Sequence, residues 1–315
     1  MRNLRGGLPE EGDRAERIKN QYQEVRRDDM QIKFIALDLD RTTLDSQGRL
    51  SEINRRAIES AVAAGIHVVA ASGRALASLP AEIVDIPGVQ YAITSNGAAV
   101  YDINENRCLR QFKMTPRSVE EILQHTQPEG GCKEDKEISY EAFIDGRAFA
   151  EQRYVEDPVR FGATPHAVAY IQSTRTPIKD MREFISEHKS ELDCIDIVVK
   201  SENMKEQLWK SLRKNIADVY ITSSVRQLLE ISHRDAGKES GAAFLLEYLG
   251  LKREELAAFG DGDNDAGLLR YAGIGFAVDN ASFACRTAAD RIVASNDENG
   301  VAQGIGIILE MEKTE

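Results

Sequence analysis

Short apolar, β-branched runs recur along the chain, each ending in polar residues and separated from the next by a longer segment of helical period. The first ones read IKFIALDLD (32–40), SEINRRAIESAVAAG (51–65), IHVVAAS (66–72), an amphipathic stretch, and YAITSNG (91–97). Strands apolar on both faces lie between helix layers, so this order predicts βαβ units, a parallel sheet and an α/β fold. Ser51 is placed to cap the first helix and Gly65 to stop it.

The same rhythm returns as GAAFLLEYLG (241–250), ELAAFGDGDND (255–265), YAGIGFAV (271–278) and RIVAS (291–295), so the two ends belong to one domain. Between them the texture changes to charged helices and alternating strands such as EISYEAFID, DIVVKSENM and DVYITSS, the pattern of an antiparallel α+β unit. The expected organisation is a discontinuous core over 31–113 and 226–315, with an inserted domain over 114–225. Residues 1–30 are charged and sparse in aliphatics, which predicts a flexible extension. Met30 is the expected native start, a point that N-terminal sequencing checks.

A formal net charge of −12 argues against nucleic acid or a membrane surface as partner, since both are polyanions. A small anionic substrate stays possible where a metal and a few placed cations reverse the field. Cys108, Cys132, Cys194 and Cys285 lie far apart with no CxxC pair, so neither a zinc site nor a disulfide framework is expected. No apolar run approaches the ~20 residues of a membrane span, and no signal-peptide core is visible, so a cytoplasmic setting is expected.

Ligands of open α/β sheets gather at the carboxyl ends of the strands, where loops and helix N-termini converge. Asp38 and Asp40 stand at such an end. Gly260-Asp261-Gly262-Asp263-Asn264-Asp265 closes another strand in the same way. Neither cluster is an EF-hand: Thr43 and Ala266 replace its glycine, and Arg49 and Ala272 its closing glutamate. Two carboxylate clusters that meet would repel unless a cation joins them, and Mg2+ is the natural hard ion. Ser72-Gly73 offers a hydroxyl and an approachable backbone N–H to an oxyanion. Lys238 follows a glycine but Ser232 and Glu239 break the P-loop pattern, so a Walker motif is rejected. A lysine opening a helix is disfavoured by the dipole, which points to an anion nearby.

In order, DLDRT (38–42), ASGR with Ser72, Lys238 and GDGDND (260–265) resemble the haloacid dehalogenase superfamily, and the arrangement is similar to its Cof-type (class IIB) phosphatases. SNGA (95–98), AGIGFAVDNA (272–281) and SNDENGVA (295–302) add to the likeness, which covers nearly everything from Ile32 onward. The resemblance implies a Rossmann-like core with a C2B-type cap inserted between the second and third motifs. It implies Asp38 as nucleophile, Asp40 as general acid and then base, and Thr42, Ser72 and Lys238 on the phosphoryl group. Mg2+ would be held by Asp38, the Asp40 carbonyl, Asp261 and, through water, Asp265. Gly73, Asn96 and Asn264 would help position the substrate. The implied activity is Mg2+-dependent hydrolysis of small phosphorylated metabolites, sugar phosphates first, with pyridoxal phosphate and flavin mononucleotide also in view. A phosphotransferase or phosphohexomutase on the same core, or a metal-dependent regulatory module without turnover, stay open.

Arg41 stands where the family mostly has glycine, and is strained if the backbone there needs a positive φ. Thr43 replaces an aliphatic residue, and Ser72 a threonine. Substrate choice is expected from the cap. Within it, Tyr140, Glu141, Phe143 and Asp145 alternate as sheet faces do and are read as ordinary packing. No oligomeric state is legible.

Overall fold

The computed structural model describes residues 31–127 and 138–311; the expected extension over 1–30, and Cys132, lie outside them. The chain first runs through β1 (Phe34–Leu37), β2 (His67–Ala71), β3 (Tyr91–Thr94), β4 (Ala99–Asp102) and β5 (Arg107–Gln111). It then builds β6 (Ile138–Ile144), β7 (Arg147–Glu151), β8 (Arg175–Ile178), β9 (Cys194–Val199), β10 (Val219–Thr222) and β11 (Leu228–His233). Finally it adds β12 (Leu256–Gly260), β13 (Ile274–Val278) and β14 (Arg291–Val293).

Two sheets result. The first has the order β14-β13-β12-β1-β2-β3-β4-β5, with β4 alone running against the others. In β1, at its centre, Ile35 and Leu37 pack into a cluster that includes Ile58, Ala61, Ile305 and Ile308 of the flanking helices. Phe34 and Ala36 pack on the other side with Ala242, Leu245 and Leu246. Burial on both faces is what an unbroken apolar run requires. The helix Glu52–Ala63 begins as expected: the Ser51 hydroxyl accepts from Asn54 N–H at 3.0 Å, and Gly65 follows with φ +86°.

Leu37 is level with Phe259 on one side and Ala70 on the other. The strand ends therefore deliver Asp38, Asp261 and Ser72 to one edge of the sheet.

The second sheet has the order β10-β11-β9-β6-β7-β8 and is antiparallel except for the β7–β8 pair. One face is apolar: Tyr140, Ala142, Ile195, Ile197, Leu229 and Ile231 pack against helices at Pro116–His125, Met181–Glu187 and Glu202–Asn215. The alternate residues Glu141, Asp196 and Glu230 fall on the opposite face.

That alternation corrects the expected boundary at 225, which left Leu228–His233 to the core. Leu229 and Ile231 fill the apolar face of the second sheet, and the strand pairs with β9 and β10. Its apolar and polar residues alternate with period two, and both faces are buried. Among the described residues no helix is long and apolar enough to cross a membrane.

The loop Ser95–Gly97 fixes where the Lys238–Leu249 helix starts. Gly237 N–H donates to the Asn96 carbonyl at 2.9 Å, and a Cβ on Gly97 would lie 1.9 Å from the Gly237 carbonyl oxygen. Gly97 also has φ +87°, so side chains are refused twice. Gly97→Ala is expected to cost about 2–4 kcal/mol from clash and backbone strain. Gly48→Ala, at φ +76° with nothing within 4 Å, is expected to cost about 1 kcal/mol. Urea unfolding of both variants checks this, and equal losses would remove the steric account.

Candidate active site

β1 ends because the chain turns at once. Asp38 N–H still donates to Phe259 O at 3.1 Å, and the Thr43 hydroxyl then bonds the Asp38 carbonyl at 2.5 Å. The tight turn over Leu39–Thr43 passes through Arg41 at φ 61°, ψ 10°, the left-handed region. Arginine is therefore strained where glycine would rest easily. Its carbonyl is held by Asn280 Nδ2 at 2.9 Å, and its Nε lies 3.7 Å from Asp261 Oδ2.

Beyond β12 the chain makes a second tight turn. Asp265 Oδ2 accepts from the backbone N–H groups of Asp261 and Gly262, at 3.0 and 2.9 Å. Its other oxygen accepts from Lys238 Nζ at 2.6 Å. Lys238 Nζ also donates to Asp38 Oδ1 at 2.6 Å, and its side chain is wholly buried. The anion that a lysine opening a helix called for is thus present twice.

Asp38, Asp261 and Asp265 each bring one carboxylate oxygen to within 4.8 Å of the others. Burial, then the Asp265 charge, raises the Asp38 carboxyl well above the usual range even with Lys238 opposing. Burial and Asp265 likewise push Asp261 up to about 7. Asp265 and Asp38 in turn hold the Lys238 ammonium protonated in spite of burial. Asp38 Oδ2 is buried and has no hydrogen-bond partner among the described residues. A surplus of close carboxylates with an orphaned oxygen is a donor set that fits a hard divalent cation.

The remaining expected residues surround this centre. The Thr42 hydroxyl donates to Asp261 Oδ1 at 3.3 Å. Ser72 accepts at its hydroxyl from Arg74 N–H at 3.2 Å, and its carbonyl accepts from Asn96 N–H at 3.1 Å. Asn264 Nδ2 donates to Asn96 Oδ1 at 3.0 Å. A Cβ on Gly73 would lie 3.2 Å from the Asn96 amide, so that stretch is closely packed. Asp40 stands apart. Its carboxylate turns away from the three acids and receives both arms of Arg74, at 2.6 and 2.8 Å.

A sequence model described as haloacid dehalogenase-like hydrolase matches residues 35–305. The chain belongs to that family. The hydrolase is 30% identical over 289 residues to phosphatase YwpJ of Bacillus subtilis, covering 86% of this chain and 98% of that one. It is 27% identical over 281 residues to 5-amino-6-(5-phospho-D-ribitylamino)uracil phosphatase YcsE of the same organism, covering 89% and 97%. A solved haloacid dehalogenase-like hydrolase from B. subtilis superposes with a TM-score of 0.73 at 27% identity, covering 87% of this chain and 99% of the other. These findings agree with the Cof-type likeness of the motifs and place the hydrolase among the family's phosphatases.

The sequence reading gave no role beside this centre to three acids of the second sheet. Glu141, Asp196 and Glu230 are in register across β6, β9 and β11, forming a buried row of acids on the polar face of the cap sheet. That face meets the core, because Asn96 Nδ2 donates to Glu230 Oε1 at 3.0 Å. Glu141, expected to be ordinary packing, is fully buried and held by both arms of Arg175 at 3.0 and 3.1 Å. Tyr140 and Phe143 do pack in apolar clusters, while Asp145 is exposed and paired with Lys113. The available signal was an acid inside an otherwise apolar strand, as in CIDIVV.

The raised carboxyls set a pH dependence. Asp38 and Asp261 bind protons more tightly folded than unfolded, so their contribution to stability is present at low pH and is lost as pH rises through their raised folded values, about 7 for Asp261. A bound divalent cation stabilises the ionised acids. Without metal, Tm is expected to fall between pH 5 and 8; added MgCl2 should raise it by about 2 °C or more at pH 8 and little at pH 5. Asp261→Asn should flatten both effects. Differential scanning calorimetry checks this, and an equal MgCl2 shift at both pH values would refute it.

Proposed function

We propose that the hydrolase is a Mg2+-dependent phosphatase of small phosphorylated metabolites that works through an aspartyl-phosphate on Asp38. The observation that carries this reading is the state of Asp38: Lys238 fixes Oδ1, while buried Oδ2 has no partner. A carboxylate so held has one oxygen free to attack.

In the first step Asp38 forms a bond to phosphorus and the phosphate ester's P–O bond breaks, with Asp40 giving its proton to the leaving oxygen. In the second, water attacks the acyl phosphate and Asp40 takes a proton from it, releasing inorganic phosphate and restoring Asp38. Thr42 and Ser72 donate to the phosphoryl oxygens, and the Lys238 ammonium offsets their charge. Asn96, Asn264 and the close-packed Gly73 shape the place where the phosphate sits. Asp38, Asp261, the Asp40 carbonyl and, through water, Asp265 would hold Mg2+, which when bound withdraws charge from the transferring phosphoryl group.

The organic part of the substrate faces the cap. Glu141, Asp196 and Glu230 favour hydrogen-bond donors and disfavour a second anion, which suits a polyhydroxylated leaving group. Sugar or polyol phosphates are accordingly the proposed substrates, in keeping with a relative named for a phosphoribityl compound. Cys108, Cys194 and Cys285 are free, which suits the reduced cytoplasmic setting that completes this reading.

Phosphate release from a panel of sugar and polyol phosphates, pyridoxal phosphate and flavin mononucleotide tests the proposal, with and without Mg2+. Release is expected to need the metal, and Asp38→Asn is expected to lower kcat by at least about 1,000-fold. Metal-independent release, or release that survives Asp38→Asn, would refute the mechanism. Phosphate appearing on an added sugar acceptor instead of water would identify a transferase.

A further inference from the structure

Arg74 connects two parts of the molecule that the reaction must coordinate. From the loop after β2 its Nε and Nη2 reach Asp40 Oδ2 and Oδ1 at 2.8 and 2.6 Å, and Nη1 bonds the Ser78 carbonyl at 3.1 Å. Its side chain is only 11% exposed, although the Asp40 carboxylate it holds is 46% exposed. On the cap side the Arg74 guanidinium lies over the ring of Tyr170, 4.1 Å from its centroid, on the helix Ala167–Thr174.

Tyr170 is itself fixed. Arg175 lies 4.6 Å from the same ring, donates to Thr174 Oγ1 at 2.8 Å, and is locked to Glu141 of β6 by the bidentate pair. A continuous chain of contacts runs from Asp40 in the core through Arg74 to Tyr170, Arg175 and Glu141 in the cap.

We propose that Arg74 is a positioning residue that makes Asp40 competent only while the cap is docked. The guanidinium is planar, so its fork sets the plane of the Asp40 carboxyl. Each carboxylate oxygen keeps a second lone pair for the proton in transit. Tyr170 fixes the plane of the guanidinium in turn and excludes water from its face. When the cap lifts, Arg74 loses that cover and Asp40 loses its fixed orientation. Proton transfer to the leaving oxygen is thereby confined to the closed, dry state, while an open site releases product with Asp40 idle. The inference rests on Asp40 as acid and base in the proposed reaction.

The test compares leaving groups in the full chain with Mg2+. An alkyl phosphate expels an alkoxide that needs a proton, whereas p-nitrophenyl phosphate expels a phenolate that does not. Arg74→Ala is expected to lower kcat on the alkyl phosphate about 30-fold and on the aryl phosphate no more than about 3-fold. Arg74→Lys keeps the charge without the fork and should resemble Arg74→Ala. Tyr170→Ala should show the same split at about 10-fold, and Tyr170→Phe, which keeps the ring, should recover most of that loss. Equal losses on both substrates, or no loss, would overturn the proposal.

A second readout needs no turnover. Amide hydrogen exchange across 167–174 should speed up in Arg74→Ala, and unchanged exchange would refute the link between Arg74 and the cap. Faster exchange in the variant, with neither phosphate cleaved by the wild type, would refute the phosphatase reading while supporting the coupling.

Discussion

Everything at the site depends on one fully buried ammonium held between two carboxylates. Lys238 Nζ sits 2.6 Å from Asp38 and 2.6 Å from Asp265, where burying any of the three alone would be prohibitive. The close approach of Gly97 to Gly237 sets where the Lys238 helix starts, and the β1–β12 register brings the two acids together. With Asp261 the three carboxylates outnumber the one ammonium by two charges. That excess is the reason the site fits a divalent ion, and it separates this centre from a structural salt bridge, which would balance its charges.

The cap solves a different problem with the opposite arrangement. Its sheet turns one face to its own helices and fills it with aliphatics, and turns the other to the core with Glu141, Asp196 and Glu230. Buried acids on that roof are tolerated only because each finds a donor: Arg175 for Glu141, Asn96 and the Ser224 N–H for Glu230, and the weaker Cys194 thiol for Asp196. Asp196, the least satisfied, lies between the other two, and their charges, with burial foremost, raise its carboxyl well above the usual range. A row of acids this close together disfavours a further anion beside it and favours hydrogen-bond donors.

How much of this was legible follows from how local each signal is. Asp38, Ser72, Lys238 and Asp261 stand at strand or helix ends inside short motifs, so the pattern places them without tertiary information. The doubly buried strands announce themselves by composition. The expected boundary at 225 fell just before β11, and only the pairing of β11 with β9 shows that Glu230 lies beside Asp196 in the second sheet. Arg74 lay in plain view within ASGR, but its partner Asp40 is 34 residues away and Tyr170 reads as one more position on an amphipathic helix. What sequence hides here is contact between elements.

The two aspartates of DLD show how the fold divides labour that the sequence leaves together. On an extended strand Asp38 and Asp40 would point to the same side. The chain instead leaves the sheet at Asp38 and turns through Arg41 in the left-handed region, so the two carboxylates diverge. Asp38 goes inward to Lys238 and is buried. Asp40 stays half-exposed at the seam with the cap, within reach of Arg74. The strain at Arg41 is offset in part by Asn280 on its carbonyl and Asp261 near its guanidinium. Arginine at this left-handed position thus still allows the turn on which the separation of the two carboxylates depends.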